Sequence, residues 1–351
     1  MSRRELLLHT NAEYIPKIEL SYARALGSAD SNQNLSPYWE HHRSLAGFEV
    51  VDRQHGTVRI RGESGFYFPG RSYSPLERIN TLDRLVWLAF SSWRRQAAPV
   101  EPKALDFSIP RGRKEYSRVG YTFGRRCTAY DYLRAQYHLA CIAPHLPGEI
   151  RTGARRLTAI EIGPGTGLLA LAIKQLLPNS ALVLVDLPET LAFSSIFLTM
   201  VLPDKRFLFL DGFESRLDSW QEYDFTLITP EAARRLPCTS IDLALNTDSM
   251  QEMELPAIRD YFTLLRRLLR PPALFYSSNR VEKFIGAGAT RLADYPYAEG
   301  DRDLFSRENT FMSQRWIWKK FYLGISYPWR KPRHGGEVMI QKLTTMRTGA
   351  P

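Results

Sequence analysis

The chain reads Leu157-Thr-Ala-Ile-Glu-Ile-Gly-Pro-Gly-Thr-Gly-Leu168 and, a helix-length stretch later, Ala181-Leu-Val-Leu-Val-Asp186. Each apolar run has the length and composition of a strand buried on both faces. The first ends in glycines at 163, 165 and 167. They leave no Cβ where a strand turns sharply into a helix, so a ligand can lie against bare backbone. The second run ends on Asp186, about 20 residues past the turn, the offset at which a neighbouring strand delivers a carboxylate to ribose hydroxyls. An adenosine-type ligand fits both features. A dinucleotide fits less well, because G-x-G-x-x-G asks for glycine where Leu168 stands and Glu161 is foreign to that motif. A glycine-rich turn can also be purely structural, so the surroundings decide.

Downstream, helices over 166–177, 189–200 and 256–269 alternate with apolar strands at 225–229, 241–245 and 273–277. That rhythm places crossovers on both faces of a largely parallel sheet. Further strands are expected in 315–325 and 337–343 as a reversed terminal hairpin. Both 206–210 and 225–229 can serve as the third strand. Spacing favours the later one, which sets Thr229 or Glu231 at an adenine; the earlier one would set Asp211 there.

The composition is that of ordinary globular material, 44% hydrophobic and 24% charged, able to bury a core. The net charge of +10 is spread, with 21 Lys and Arg against 15 Asp and Glu in residues 1–150 and 26 against 22 beyond. Spread charge argues against a dedicated nucleic-acid arm. The denser basic pieces at 111–126 and 329–334 read as solvated surface or as a site for an anionic substrate or an RNA. Three dispersed cysteines, Cys127, Cys141 and Cys238, suggest neither a disulfide framework nor a zinc knuckle and fit a reducing compartment. The start lacks a signal-peptide core and no segment is long enough to span a bilayer. A cytoplasmic protein with no membrane partner is expected.

Length divides the chain into residues 1–150, a mainly helical cap contributing to an acceptor pocket, and a core at 151–351. Within the cap, Phe48-Glu-Val-Val-Asp52 and Val58-Arg-Ile-Arg61 form a candidate hairpin. Ile79, Leu82, Leu85, Val86 and Phe90 give residues 76–98 helical spacing. A second helix follows Thr128, its expected N-cap, with Asp131 at N3. Tyr130, Tyr132 and Tyr137 on it are core or an aromatic wall for a ligand.

Glu161-x-Gly-x-Gly-x-Gly resembles motif I of the class I S-adenosylmethionine (SAM) methyltransferases, in which the acid lies near the methionine end of the cofactor. Beyond it, Asp186-Leu-Pro-Glu-Thr190, Asn246-Thr-Asp-Ser-Met-Gln-Glu-Met253, Tyr276-Ser-Ser-Asn-Arg280 and the helix at 130–142 resemble a family of bacterial sugar O-methyltransferases named largely from gene context. The resemblance covers residues 115–345 and touches four strand ends. It implies a Rossmann-like α/β fold, mostly parallel with a reversed last strand, and SAM as cofactor with S-adenosylhomocysteine (SAH) as product. Glu161, Gly163, Gly165, Gly167, Asp186, Leu187, Thr229, Glu231 and Asn246 would hold that cofactor.

Methyl transfer to a hydroxyl is an in-line displacement that needs the acceptor held and aligned, and a base for a proton of high pKa. Strand carboxyl ends supply such groups. After the fourth strand come Asp248 and Glu252, whose spacing shares one face of a helical turn; after the fifth come Asn279 and Arg280. Structural readings compete: Asp248 and Ser249 can cap a helix, and Glu252 can pair with Arg280. His334 is the single histidine beyond residue 150 and the third candidate base; His138 reads as packing. Tyr130, Asn279 and Arg280 are the candidate acceptor contacts, and no metal is expected.

The activity expected is O-methylation of a small molecule, a sugar or glycosylated natural product. The rivals are carboxylate methylation of a peptide terminus or small acid, RNA methylation, and non-catalytic SAM binding. No RNA-binding module and no Asn/Asp-Pro-Pro-Tyr motif supports the RNA reading. The oligomeric state is open, a homodimer included.

Overall fold

The computed structural model describes residues 3–27, 47–63, 121–123, 126–128, 130–210, 215–285, 288–320 and 326–348. The helix expected at 76–98 and Asp211 lie outside the described residues. The amino-terminal part contributes β1 (Arg3–His9), α1 (Ile15–Gly27), β2 (Gly47–Asp52), β3 (Thr57–Glu63), the short pair β4 (Tyr121–Phe123) and β5 (Arg126–Thr128), and α2 (Tyr130–Ile142). The expected hairpin is present as β2–β3, joined by β1 into an antiparallel sheet of order β1-β3-β2. Thr128, the expected N-cap, ends β5 opposite Tyr121.

The core alternates as its sequence suggests: β6 (Leu157–Ile162), α3 (Leu168–Leu176), β7 (Ser180–Val185), α4 (Pro188–Val201), β8 (Phe207–Leu210), β9 (Phe225–Ile228), β10 (Ile241–Thr247), α5 (Leu255–Leu268) and β11 (Leu269–Arg280). Next come the hairpin β12 (Glu282–Ile285) and β13 (Gly288–Arg291), then β14 (Arg302–Glu308), the hairpin β15 (Gln314–Lys320) and β16 (Ser326–Pro332), and β17 (Met339–Thr345). The main sheet has the order β14-β17-β11-β10-β6-β7-β9-β8. Strands β6 to β11 pair in parallel, and β17 runs antiparallel to both its neighbours. This is the α/β sheet with a reversed last strand that the sequence predicts.

Two assignments are sharpened. Residues 225–228 take the third-strand place beside β7, and 207–210 add an outer edge strand. The outer partner of β17 is 302–308; of the stretch expected at 315–325 the described part falls in 314–320, which pairs with 326–332 in a hairpin of its own. The reason is solvent: β14 is an edge strand exposed at nearly every position, so it carries no apolar signature.

Each buried strand feeds two cores. Leu157, Ala159, Leu182 and Leu184 point to the face covered by α2, α3 and α4. Ile160, Ile162, Ala181, Val183 and Val185 point to the face covered by α5. Helix α5 opens with Pro256 in its first turn, where the missing N–H costs nothing. Its Ile258, Phe262 and Leu265 face the sheet, fully buried, each contributing about 1.5–3 kcal/mol by leaving water. Helix α4 is buried along its whole length. Its outer side lies against α1 and β2, so Tyr14, Ile15, Ile18 and Val58 share a core with Leu191, Ile196 and Leu198.

Candidate active site

The chain crosses from β6 to β7 on one side and places β10 on the other, which opens a crevice beyond the strands' carboxyl ends. The three glycines of the turn there are all left-handed, at φ of +70°, +57° and +83°, but each for a different neighbour. A Cβ on Gly163 would fall 1.9 Å from Ser249 Oγ, and one on Gly167 3.0 Å from Leu198 Cδ1. A Cβ on Gly165 would meet nothing within 4 Å. Gly165 therefore faces open space, and the other two let β10 and α4 close in around it. Ser194 on α4 fixes the turn by donating to the Gly165 carbonyl at 2.7 Å.

Asp186, at the end of β7, accepts from the Gly165 N–H at 3.2 Å and the Leu187 N–H at 2.8 Å. Those two bonds orient its carboxylate and leave further lone pairs for hydroxyl donors. Burial pushes Asp186 up to about 7, against the lowering effect of the two N–H groups. Glu161 is 3% exposed, and its Oε2 has no hydrogen-bond partner. Burial first, then Asp186, pushes it up to about 8, with Arg134 opposing. A buried carboxylate oxygen left unbonded is costly, and a cationic donor such as the ammonium of a bound amino acid would satisfy it. Thr229 caps a one-turn helix, accepting from the Ala232 N–H at 3.4 Å, with Glu231 in its first turn. Because Ile228 pairs with Val185, both lie at the strand end next to Asp186. These residues fit an adenosine bearing an amino-acid tail: a bare-backbone floor, a ribose acid, and an unsatisfied acid for the tail.

Asn246 and Asn279 bond each other and the neighbouring backbone. Asn246 Nδ2 donates to the Ile162 carbonyl at 2.9 Å, while its Oδ1 accepts from Asn279 Nδ2 at 2.9 Å and the Met250 N–H at 3.3 Å. Asn279 Oδ1 accepts from the Gln251 N–H at 3.2 Å. Both are fully buried and lace the ends of β6, β10 and β11 to the turn that carries the two acids.

Asp248 and Glu252 do not share a helical face. Asp248 is left-handed at φ +62°, and the 3-10 turn begins only at Met250. Each acid has its own cation: Arg134 Nη1 lies 2.9 Å from Asp248 Oδ2, and Lys283 Nζ is paired with Glu252 Oε1. Burial raises both carboxyls, and the surrounding cations oppose it. Arg280 does not pair with Glu252; its backbone N–H donates to Gln251 Oε1 at 2.8 Å. His334 is exposed and forms no hydrogen bond with either acid. The Tyr130 side chain lies outside the described residues. Tyr137 is core: it accepts from Gln341 Nε2 at 2.8 Å and stacks on Phe311. Its neighbour His138 is buried against Tyr276 Oη at 2.7 Å, and burial pushes it down to about 3. Sequence reasoning missed Arg134, Ser194 and Lys283, whose partners Asp248, Gly165 and Glu252 lie 114, 29 and 31 residues away.

Among the described residues no group of three His, Cys, Asp or Glu could hold a metal ion, and no helix is long and apolar enough to cross a membrane. No protein-family model and no curated protein sequence matches the chain. Solved structures similar to it include a SAM-dependent methyltransferase from Aquifex aeolicus, at 12% identity and TM-score 0.29 over 54% of this chain and 82% of that one. Another is mitomycin 7-O-methyltransferase, at 16% identity and TM-score 0.30 over 61% and 58%. A third, from Pyrococcus horikoshii and provisionally named an RNA methyltransferase, shows 10% identity and TM-score 0.37 over 72% and 98%. At such scores the fold rests on the strand order itself.

Proposed function

We propose that the chain is a SAM-dependent O-methyltransferase acting on a hydroxyl of a small molecule, a sugar or glycosylated natural product. The observation that carries the reading is the open face of Gly165 flanked by the oriented Asp186 carboxylate and the unbonded oxygen of Glu161. Bound SAM would supply an electrophilic methyl group. The chain's own work is to hold the ribose at Asp186, hold the tail at Glu161, and seat the acceptor across the ends of β10 and β11. There Asp248, with a side chain 23% exposed and oriented by Arg134, can take the acceptor's proton. Glu252, held by Lys283, sets the charge around it. Alignment and exclusion of water contribute the rest of the rate.

Calorimetry tests the cofactor half. SAH should bind, NAD should give no heat, and Gly165→Arg should abolish binding while Asp186→Ala weakens it. Tight NAD binding with no response to SAH would sink the reading. Nucleic acid is not the acceptor in this proposal: RNA should bind weakly at physiological salt and without sequence preference. Methylation of a carboxylate is the second reading, favoured by the cations beside Asp248.

A further inference from the structure

The acceptor end of the crevice holds more positive than negative charge. Asp248 and Glu252 are the acids of the β10 turn. Facing Asp248 are Arg134 from α2, Arg280 from the end of β11, Lys283 from β12 and Arg333 from the loop before β17. That loop is brought in by the Arg333 N–H donating to the Ser313 carbonyl at 2.7 Å and by Val281 bonding Val338 at 2.9 Å. Arg134 is committed to Asp248 and Lys283 to Glu252. Arg280 is not committed: its Nε is buried without a hydrogen-bond partner, and only its backbone N–H is engaged, by Gln251. A buried guanidinium nitrogen without a direct partner is costly. Its planar fork matches a carboxylate, sulfate or phosphate. Its place separates it from the cofactor: β11 lies two strands from β6, roughly 10 Å across the sheet, and the arginine near Glu161 is Arg134.

Resting on the methyltransferase reading above, we infer that Arg280 is an anion anchor of the acceptor pocket, and that the molecule methylated carries an oxyanion. The same chemistry could come from the carboxylate of the cofactor's own tail, so the probe is sulfate on protein already saturated with SAH. Sulfate is titrated against chloride at constant ionic strength, with binding followed by calorimetry. The expected result is saturable sulfate binding to the SAH complex, weakened about tenfold or more in Arg280→Gln, the loss of one charge-assisted hydrogen-bonding group. SAH affinity should stay within about threefold, with Arg280 seated against the acceptor rather than the cofactor. Arg280→Lys, which keeps the charge and loses the fork, should fall between the two. If Arg280→Gln fails to fold, seen as loss of its cooperative thermal melt without ligand, the lysine variant and the wild-type titration carry the test. Three results would overturn the inference: no sulfate binding to the SAH complex, sulfate binding that SAH abolishes, or binding unchanged in the Arg280 variants. Failure of SAH itself to bind would instead refute the methyltransferase reading.

Discussion

Replacing each of the three turn glycines by alanine separates fold from ligand space. All three residues are left-handed, so any Cβ there costs about 1–2 kcal/mol. At Gly163 the added carbon would also sit 1.9 Å from Ser249 Oγ and 2.3 Å from its Cβ. That overlap forces β10 away from the turn and adds about 1–3 kcal/mol, for a total near 2–5 kcal/mol. At Gly165 the carbon enters open space, so only the conformational cost remains. There the loss should appear in SAH affinity, by at least about tenfold, or 1.4 kcal/mol, because the methyl occupies the ligand's floor. Denaturation midpoints measured without ligand should thus place Gly163→Ala clearly below Gly165→Ala, while calorimetry with SAH on the folded variants singles out Gly165→Ala. The double variant Gly163→Ala/Ser249→Gly should recover the steric share, read as a coupling energy in a double-mutant cycle. Equal midpoints for the two single variants, or wild-type SAH affinity in Gly165→Ala, would refute this account of the turn.

Asp248→Asn and Glu252→Gln keep shape and remove charge; if Asp248 is the base, its variant should lower kcat by about 10²–10⁴ with SAH affinity nearly intact, and near wild-type turnover would move the search to His334→Ala or to a carboxylate acceptor. Glu161 and Asp186 are raised by burial to about 8 and about 7. The folded apo chain therefore holds protons that the unfolded chain releases at its lower carboxyl pKa values, and the stability these groups contribute is present at acid pH and lost as pH rises through 7–8. A ligand ammonium favours the ionised form, so SAH binding should release protons at neutral pH and tighten as pH rises; binding heat that does not vary with buffer ionisation enthalpy there would contradict it. His138, pushed down to about 3, has the opposite sign: its share of stability is present above the unfolded histidine pKa and lost as pH falls toward 3. Its NMR resonances should stay those of a neutral ring from about pH 5 to 8, and a midpoint near 6.5 would show that it is not buried as described.

The glycine turn, the fully buried β6 and β7, and Asp186 were legible because each is dictated locally: backbone freedom, burial on two faces, and a fixed offset along one crossover. What the sequence hid is long-range. Arg134 lies 114 residues from Asp248, and nothing local marks it as the partner of an acid on another element. The Asp248–Glu252 spacing suggested a shared helical face, yet the left-handed Asp248 breaks the turn and assigns each acid a separate cation. Asn246 stood in a family-like string, and nothing local marked its bonds to Ile162, Met250 and Asn279. The edge strand at 302–308 was invisible because solvent covers it, whereas the stretch at 315–325 announced a strand without revealing its partner.

The encasement of α4 bears on how the molecule can be divided. Thr10 Oγ1 lies 2.7 Å from Thr199 Oγ1, the Tyr14 hydroxyl donates to the Lys205 carbonyl at 3.0 Å, and the Tyr14 ring meets Phe207 and Phe209 edge-on. The opening residues thus complete the side of the sheet that the chain builds nearly two hundred residues later. Cutting at residue 150 would bare a helix with no polar face and an aromatic edge strand, so the half that carries the glycine turn is not a cassette that can be lifted out. Transplanting or circularly permuting it requires carrying β1 and α1 along, and during synthesis those earlier elements wait for α4 and β8 before they can pack.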